Sequence, residues 1–317
     1  MHPIEILRSL RMSARSVEFL PGGYNSDVTA VVDNGVKKVV KIIGGKKEPM
    51  SEHEARCLAA DLIAYHEALT ATGLRIPELE AIKLFENRVR SGFEVVEVCA
   101  FRGYGVDREL RESSRQASEL FREISTAMLP VLCRRISNGD LDIGIDPKPE
   151  NFTRERKNLW FVDTMPPRYR KGGVVLVEYP APKTRIGQRI GYLRHFTLSG
   201  VFMVLRTQLG RLCPRFYERI TRTADHFVRV NFPGEVIRDQ AVEEIVHRQR
   251  IRSVNQCTSA DIYVLREVAC YLAGRSPALG KHWLGQIFDL THFEDGVSDA
   301  SLARAKHLIA EALRKPH

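Results

Sequence analysis

Asp146-Pro147-Lys148-Pro149-Glu150-Asn151-Phe152, followed by the apolar run Leu159-Trp160-Phe161-Val162 and then Asp163, is the stretch whose reading decides the fold. Five specified residues in it, at roughly 1 in 20 each over some 300 start points, arise by chance about once in ten thousand such chains. The pattern is therefore specific before any context is added. The second aspartate stands twelve residues beyond Asn151, at the end of a short strand-like run. On structure alone, Asp146 would cap a turn and Asp163 would end a strand, and the joint spacing weighs against that plainer reading.

Upstream, the sequence alternates strand-like and helix-like pieces. Ser16 to Leu20, Val28 to Val32 and Lys38 to Ile43 read as strands, separated by a Pro21-Gly22-Gly23 turn and an Asp33-Asn34-Gly35 turn. Asn-Gly between two apolar β-branched runs is a strong hairpin signal. Glu52, Glu54, Leu58, Leu62, Tyr65 and Leu69 predict an amphipathic helix, opened by Ser51 as N-cap with Glu54 completing a capping box and closed at Gly73. Glu80 to Phe85 and Phe93 to Ala100 predict two more strands. After Gly103 and Gly105 the texture turns helical, with Ser113 to Ile136, Ile186 to Leu212, Pro214 to Val228, Ser259 to Ala273 and Ala300 to Arg314 as expected helices. The boundary falls near residue 100, and the class is α+β.

The D-x-K-P-E-N stretch resembles the catalytic loop of protein kinases, and Asp163 falls where those proteins place their other metal carboxylate. Pro21-Gly22-Gly23-Tyr24-Asn25-Ser26-Asp27-Val28 is similar to the G-G-x-x-N-x-V loop of choline-kinase and aminoglycoside-phosphotransferase relatives, and Val39-Val40-Lys41-Ile42 to the V-A-I-K strand. The resemblance covers about residues 16 to 170. It implies a bilobal protein-kinase-like fold, with residues 1–100 a small antiparallel sheet plus helix and residues 101–317 a mainly helical lobe. It further implies that ATP and Mg²⁺ are the cofactors. Asp146 would be the catalytic base and Lys148 a contact to the transferred phosphate. Asn151 and Asp163 would be the Mg²⁺ ligands, and Gly22 and Gly23 would bring backbone N–H groups to the phosphates. Lys41 would hold the nucleotide phosphates, with Lys37 and Lys38 as rivals in register. Glu54 would be its helix partner, with Glu52 as the runner-up, though either serves equally well as a first-turn capping residue. The segment Val95 to Cys99, including Glu97 and Cys99, would meet adenine through backbone groups.

Departures from the pattern shape the function expected. Gly144-Ile145 stands where the resemblance has His-Arg or His-Gly, which removes a hydrogen-bonding support of the loop. Asp163-Thr164-Met165 lacks Phe-Gly, no A-P-E follows, and Pro166-Pro167 gives a stiff exit, so a phosphorylatable activation loop is not expected. These features favour a small molecule bearing a hydroxyl as acceptor, an anionic one included. Lys148 favours the alternative of a serine/threonine-type protein kinase, and the missing histidine favours a pseudokinase serving as a nucleotide-binding interaction module. Arg206, Arg211, Arg215, Arg219 and Arg222 recur mostly at spacings of three to five, which predicts one helical face that could receive an acceptor phosphate or carboxylate, or simply face solvent.

Bulk properties set the outer bounds. With 317 residues, 44% hydrophobic and 27% charged, the chain is large enough for two cored lobes. The net charge of +9 favours an anionic partner, and the absence of an aromatic-rich basic motif, helix-turn-helix signature or zinc knuckle disfavours sequence-directed nucleic-acid reading. Six scattered cysteines without a C-x-x-C pair argue against zinc and against a disulfide framework. Met1 to Arg11 lacks the uninterrupted apolar stretch of a signal peptide, and the apolar run near Leu198 to Leu205 is too short to span a bilayer. A cytoplasmic protein without a membrane span is expected.

Overall fold

Asn34 and Gly35 both take positive φ, 49° and 81°, and close the hairpin between strands β2 (Ser26–Asp33) and β3 (Val36–Ile43) with Asp33 directly opposite Val36. This is the two-residue turn that the right-handed twist of paired strands selects. The computed structural model describes residues 10, 12, 14–20, 26–44, 50–87, 91–110, 113–165, 170–171, 174–175, 192, 194–235, 259–275, 277–291 and 298–314. With β1 (Ala14–Leu20), β4 (Leu79–Asn87) and β5 (Gly92–Ala100), these strands form an antiparallel sheet of order β1-β2-β3-β5-β4. One face of it packs Val31, Val40, Ile42, Val96 and Val98 into a core.

Helix α1 (Glu52–Thr72) lies between β3 and β4 in the chain and packs on β4 and β5. Its capping box forms as expected: the Glu54 N–H donates to Ser51 Oγ at 3.2 Å, and the Ser51 N–H donates to Glu54 Oε2 at 2.8 Å. Gly73 ends it with φ 89°, the left-handed conformation that costs glycine nothing sterically. Ala55, Leu58, Ala59, Leu62, Tyr65 and Leu69 make its buried stripe, each large apolar side chain contributing roughly 1.5–3 kcal/mol of transfer free energy.

The structure divides into two compact units, Met1–Gly103 with Arg154–Met165, and Tyr104–Thr153 with Pro166–His317. The segment that carries Asp163 thus belongs to the sheet unit, although the sequence groups it with the helices. Within that unit the Phe161 N–H donates to the Arg75 carbonyl at 2.8 Å, tying the strand Asn158–Phe161 to the segment after α1.

The second unit is mainly helical, so the α+β class and its division into a sheet-plus-helix part and a helical part are as expected. Its helices are α2 (Ser114–Leu132), α3 (Leu198–Leu212), α4 (Tyr217–Asn231), α5 (Ser259–Arg275), α6 (Pro277–Leu290) and α7 (Asp299–Arg314). Phe121 of α2 meets Phe202 of α3 and Phe227 of α4 at ring-centroid distances of 6.1 and 6.4 Å. The expected Ile186 to Leu212 helix is interrupted: Thr197 caps a fresh start at Leu198 by accepting from the Gly200 N–H at 3.0 Å, and residues 186–191 lie outside the described residues. Among the described residues no helix is long and apolar enough to cross a membrane, and Cys57, Cys99, Cys133, Cys213 and Cys270 are free thiols.

Candidate active site

In the sheet unit, antiparallel pairing puts Lys41 of β3 directly opposite Glu97 of β5. Lys41 Nζ lies 3.2 Å from Glu97 Oε1, 2.7 Å from the Val162 carbonyl and 2.7 Å from Thr164 Oγ1. Glu97 is 1% exposed, and its Oε1 also accepts from the Thr164 hydroxyl at 2.5 Å and the Cys99 thiol at 2.8 Å. Burial opposes the ammonium charge of Lys41, but the carboxylates of Glu97 and then Asp163 outweigh it and raise its pKa. Burial likewise opposes ionisation of Glu97, and Lys41 outweighs it, so the carboxyl is held below its ordinary range. The result is a fixed ion pair with Asp163 in its field. Burial pushes the Cys99 thiol well up, which leaves it unreactive.

The three lysines differ in the contacts they make. Lys37 pairs with Glu18 at 2.9 Å near the surface, and Lys38 bridges Asp33 and Glu80 at 3.3 and 2.7 Å. Lys41 is the lysine held next to Asp163. Its expected helix partner is corrected: Glu54 is exposed and turned back onto its own cap, and Glu52 pairs with Arg56. The capping box that the sequence predicts already occupies the carboxylate that was also assigned to the lysine. The adenine segment is corrected too. Glu97 and Cys99 sit in a central strand whose backbone is paired with β3 on one side and β4 on the other, so their N–H and C=O groups serve the ladder. Strand β5 ends at Ala100, the Phe101 N–H still donates to the Lys37 carbonyl of β3 at 3.3 Å, and the chain then turns away at Gly103, which takes φ 90° and where a Cβ would lie 2.0 Å from the Arg154 carbonyl oxygen. Gly22 and Gly23 lie outside the described residues.

In the helical unit, Asp146 is 6% exposed and faces two cations. Arg194 Nη2 donates to its Oδ1 and Oδ2 at 2.9 and 2.8 Å, and Lys148 Nζ stands 3.2 Å from Oδ2. Burial opposes this carboxylate, yet Arg194 first and then Lys148 and His195 hold it well below the usual carboxylate range. The Pro149–Asn151 turn brings Asn151 back on the loop, its Nδ2 donating to the Asp146 carbonyl at 3.1 Å.

Support for the loop comes from residues outside the motif. The Ile145 carbonyl accepts from His195 Nδ1 at 3.2 Å, the Ile145 N–H donates to the His195 carbonyl at 3.2 Å, and the Leu141 N–H donates to the Phe196 carbonyl at 2.7 Å. A carbonyl can only accept, so the His195 tautomer carries its proton on Nδ1. The hydrogen-bonding histidine absent before Asp146 is thus supplied fifty residues downstream. Arg194, His195 and Thr164 are the site residues that the sequence reading did not assign. Glu97 had a usable signal, a carboxylate inside the apolar run Val95 to Cys99, equivalent to the signal that singled out Lys41.

No protein-family model and no curated protein matches the sequence. Solved structures of aminoglycoside phosphotransferase APH(4)-Ia align with it at low similarity. The apo form of a thermostable mutant has 10% identity and a TM-score of 0.39, covering 98% of this chain and 97% of that one. A ternary complex of that enzyme with ADP and hygromycin B gives 10% and 0.40 at the same coverage, and one with AMP-PNP and hygromycin B gives 11% and 0.41.

The predicted arginine stripe is broken by the structure. Cys213 and the short Pro214–Phe216 turn separate α3 from α4, and Arg206 is buried against Glu267 of α5 while Arg211, Arg215, Arg219 and Arg222 are exposed. Arg206 therefore cannot share a solvent face with the others. Arg211 lies 3.8 Å from Glu150 of the loop.

Among the described residues no cluster of three or more His, Cys, Asp or Glu could by itself hold a metal. Mg²⁺ bound together with a nucleotide takes one or two protein carboxylates and fills its shell with phosphate oxygens and water. Asp163, whose charge acts on the Lys41 cation, has the donor chemistry for one such ligand.

Proposed function

We propose that the protein is a Mg²⁺-dependent phosphotransferase that moves the γ-phosphate of ATP to a hydroxyl group of a small molecule. The observation that carries this reading is the gathering of Lys41, Val162, Asp163 and Thr164 in one compact unit, a part-buried cation with a carboxylate in its field, from positions more than a hundred residues apart. In this reading Lys41 neutralises phosphate charge, and Asp163 and Asn151 are the protein ligands of the metal. The metal, when bound, offsets the charge of the phosphate oxygens. Asp146 orients the acceptor hydroxyl and takes its proton, and Lys148 meets the transferred phosphate. The backbone of Arg102 and Gly103, past the last sheet bond from the Phe101 N–H to the Lys37 carbonyl, replaces Val95 to Cys99 as the segment that reads adenine.

The small-molecule acceptor is supported by Asp163-Thr164-Met165 and the prolines after it, which leave no regulated activation loop. Calorimetry of Mg·ATP binding tests the core of the reading: wild-type protein binds, and folded Asp163→Ala loses most of that affinity. Equal affinity in the two proteins would remove the metal and nucleotide assignment.

A second reading, a nucleotide-binding module without turnover, is favoured by one observation. A buried arginine nitrogen contacts both carboxylate oxygens of Asp146, the atoms a substrate hydroxyl would need. Labelled phosphate transfer from ATP, screened over hydroxylated metabolites and over proteins, separates the two readings.

A further inference from the structure

We propose that Glu97 and Thr164 are the positioning residues for the nucleotide cation Lys41, so that its place is set by strand register and not by a helix glutamate. The proposal rests on reading Lys41 as the phosphate-binding lysine.

An ammonium group has three N–H donors, and at Lys41 each has a partner: Glu97 Oε1, the Val162 carbonyl and Thr164 Oγ1. The Thr164 hydroxyl accepts from Lys41 and passes its own hydrogen to Glu97 Oε1, so it couples the cation to the carboxylate. A buried ion pair is stable only when its geometry is good and further hydrogen bonds satisfy it. Here the thiol of Cys99 and the hydroxyl of Thr164 supply such bonds at Oε1, while Oε2 is buried with no hydrogen-bond partner among the described residues.

The two carboxylates that could have done this from α1 are engaged elsewhere, Glu54 in its capping box and Glu52 with Arg56. A glutamate on a helix can be withdrawn by moving the helix. Glu97 cannot be withdrawn from Lys41 without parting the β3–β5 ladder that runs from Lys38 opposite Ala100 to Ile43 opposite Val95. Thr164 also follows Asp163 directly, so the same network fixes the backbone that presents the metal carboxylate: Val162 accepts from both Lys41 and the Thr164 N–H. Strand pairing therefore positions Lys41 without a helix glutamate, and binding a phosphate oxygen exchanges one of the three Lys41 hydrogen bonds.

The test measures Mg·ATP affinity by calorimetry on full-length variants, alongside thermal melts. Lys41→Met sets the scale. Glu97→Gln, which keeps shape and an acceptor but deletes the charge, lowers affinity at least about tenfold, and combining it with Lys41→Met adds little, the signature of a coupled pair. Thr164→Val lowers affinity as well, and Thr164→Ser, which restores the hydroxyl, recovers it. Glu54→Ala leaves affinity unchanged. A purely structural role would lower melting temperatures without this pattern of affinities. Should Lys41→Met weaken binding while Glu97→Gln and Thr164→Val leave it intact, or should Glu54→Ala match Lys41→Met, the proposal is overturned. Unchanged affinity in Lys41→Met itself overturns the nucleotide reading beneath it. If Glu97→Gln does not fold, the valine and serine variants at Thr164 decide the matter alone.

Discussion

Two arginines of the helical unit are almost fully buried against carboxylates, Arg194 against Asp146 and Arg206 against Glu267, and the two carboxylates respond in opposite directions. Asp146 is held well below its ordinary range because, against the penalty of burial, it faces Arg194, Lys148 and His195 together. Glu267 is raised, because burial outweighs the single arginine it shares with Asp225, whose Oδ1 lies 3.7 Å from Arg206. Burial alone therefore does not decide ionisation; the count of cations per carboxylate does. One pair is an excess of positive charge around an anion kept ionised. The other is a closed connection between α3, α4 and α5.

The largest expected difference between the pairs is in turnover. Asp146→Asn lowers kcat of phosphate transfer by roughly 10²- to 10⁴-fold and leaves Mg·ATP affinity of the folded protein near wild type, because a base acts mainly in the transition state. Slow ATP hydrolysis with water as acceptor serves as the first assay. Turnover that survives in Asp146→Asn would make this pair as structural as the other.

The second difference is in stability. Arg206→Met leaves Glu267 buried without its cation and costs about 3–5 kcal/mol in urea unfolding, whereas Arg206→Met with Glu267→Leu recovers most of that loss. Phosphate transfer by the folded double variant is unchanged. A double variant as unstable as the single one would show that the ion pair is more than a replaceable connection.

The smallest difference lies in pH dependence. Asp146 has a depressed folded-state pKa, so its contribution to stability is present above the ordinary aspartate value of about 3.9 and fades as pH falls below it. Glu267, surrounded by Arg206, Asp225 and Tyr217, has a raised one, so its share is present below the ordinary glutamate value of about 4.3 and fades as pH rises through the raised pKa. Glu267→Gln should flatten the stability profile just above pH 4, and Asp146→Asn should flatten it below. Profiles that change in the same window for both variants would contradict the opposite shifts.

Local features were legible in the sequence wherever a few neighbouring residues complete the physics. The Asn34-Gly35 turn, the Ser51 and Glu54 capping box, the Gly73 stop and the Asp146 to Asn151 loop each close within a handful of residues. Lys41 was legible for a related reason: a lysine in an apolar strand must find compensation. The same logic misassigned Glu54, because one carboxylate cannot both cap its helix and pair with the lysine. Cap geometry is local and is satisfied first.

The sequence by itself determined the strands, the hairpin, the capped helix and the chemical groups of the loop, since these depend on contacts between near neighbours. Only the tertiary structure decided which charges meet. Glu97 opposes Lys41 because β5 inserts beside β3 with a helix and another strand intervening in the chain, a register no local pattern encodes. Arg194 and His195 reach Asp146 and Ile145 from about fifty residues downstream, and Arg206 leaves its predicted surface stripe because α5 packs against it. A buried charge must be compensated by whatever the fold brings within hydrogen-bond reach, and that partner is fixed by packing in space rather than by distance along the chain.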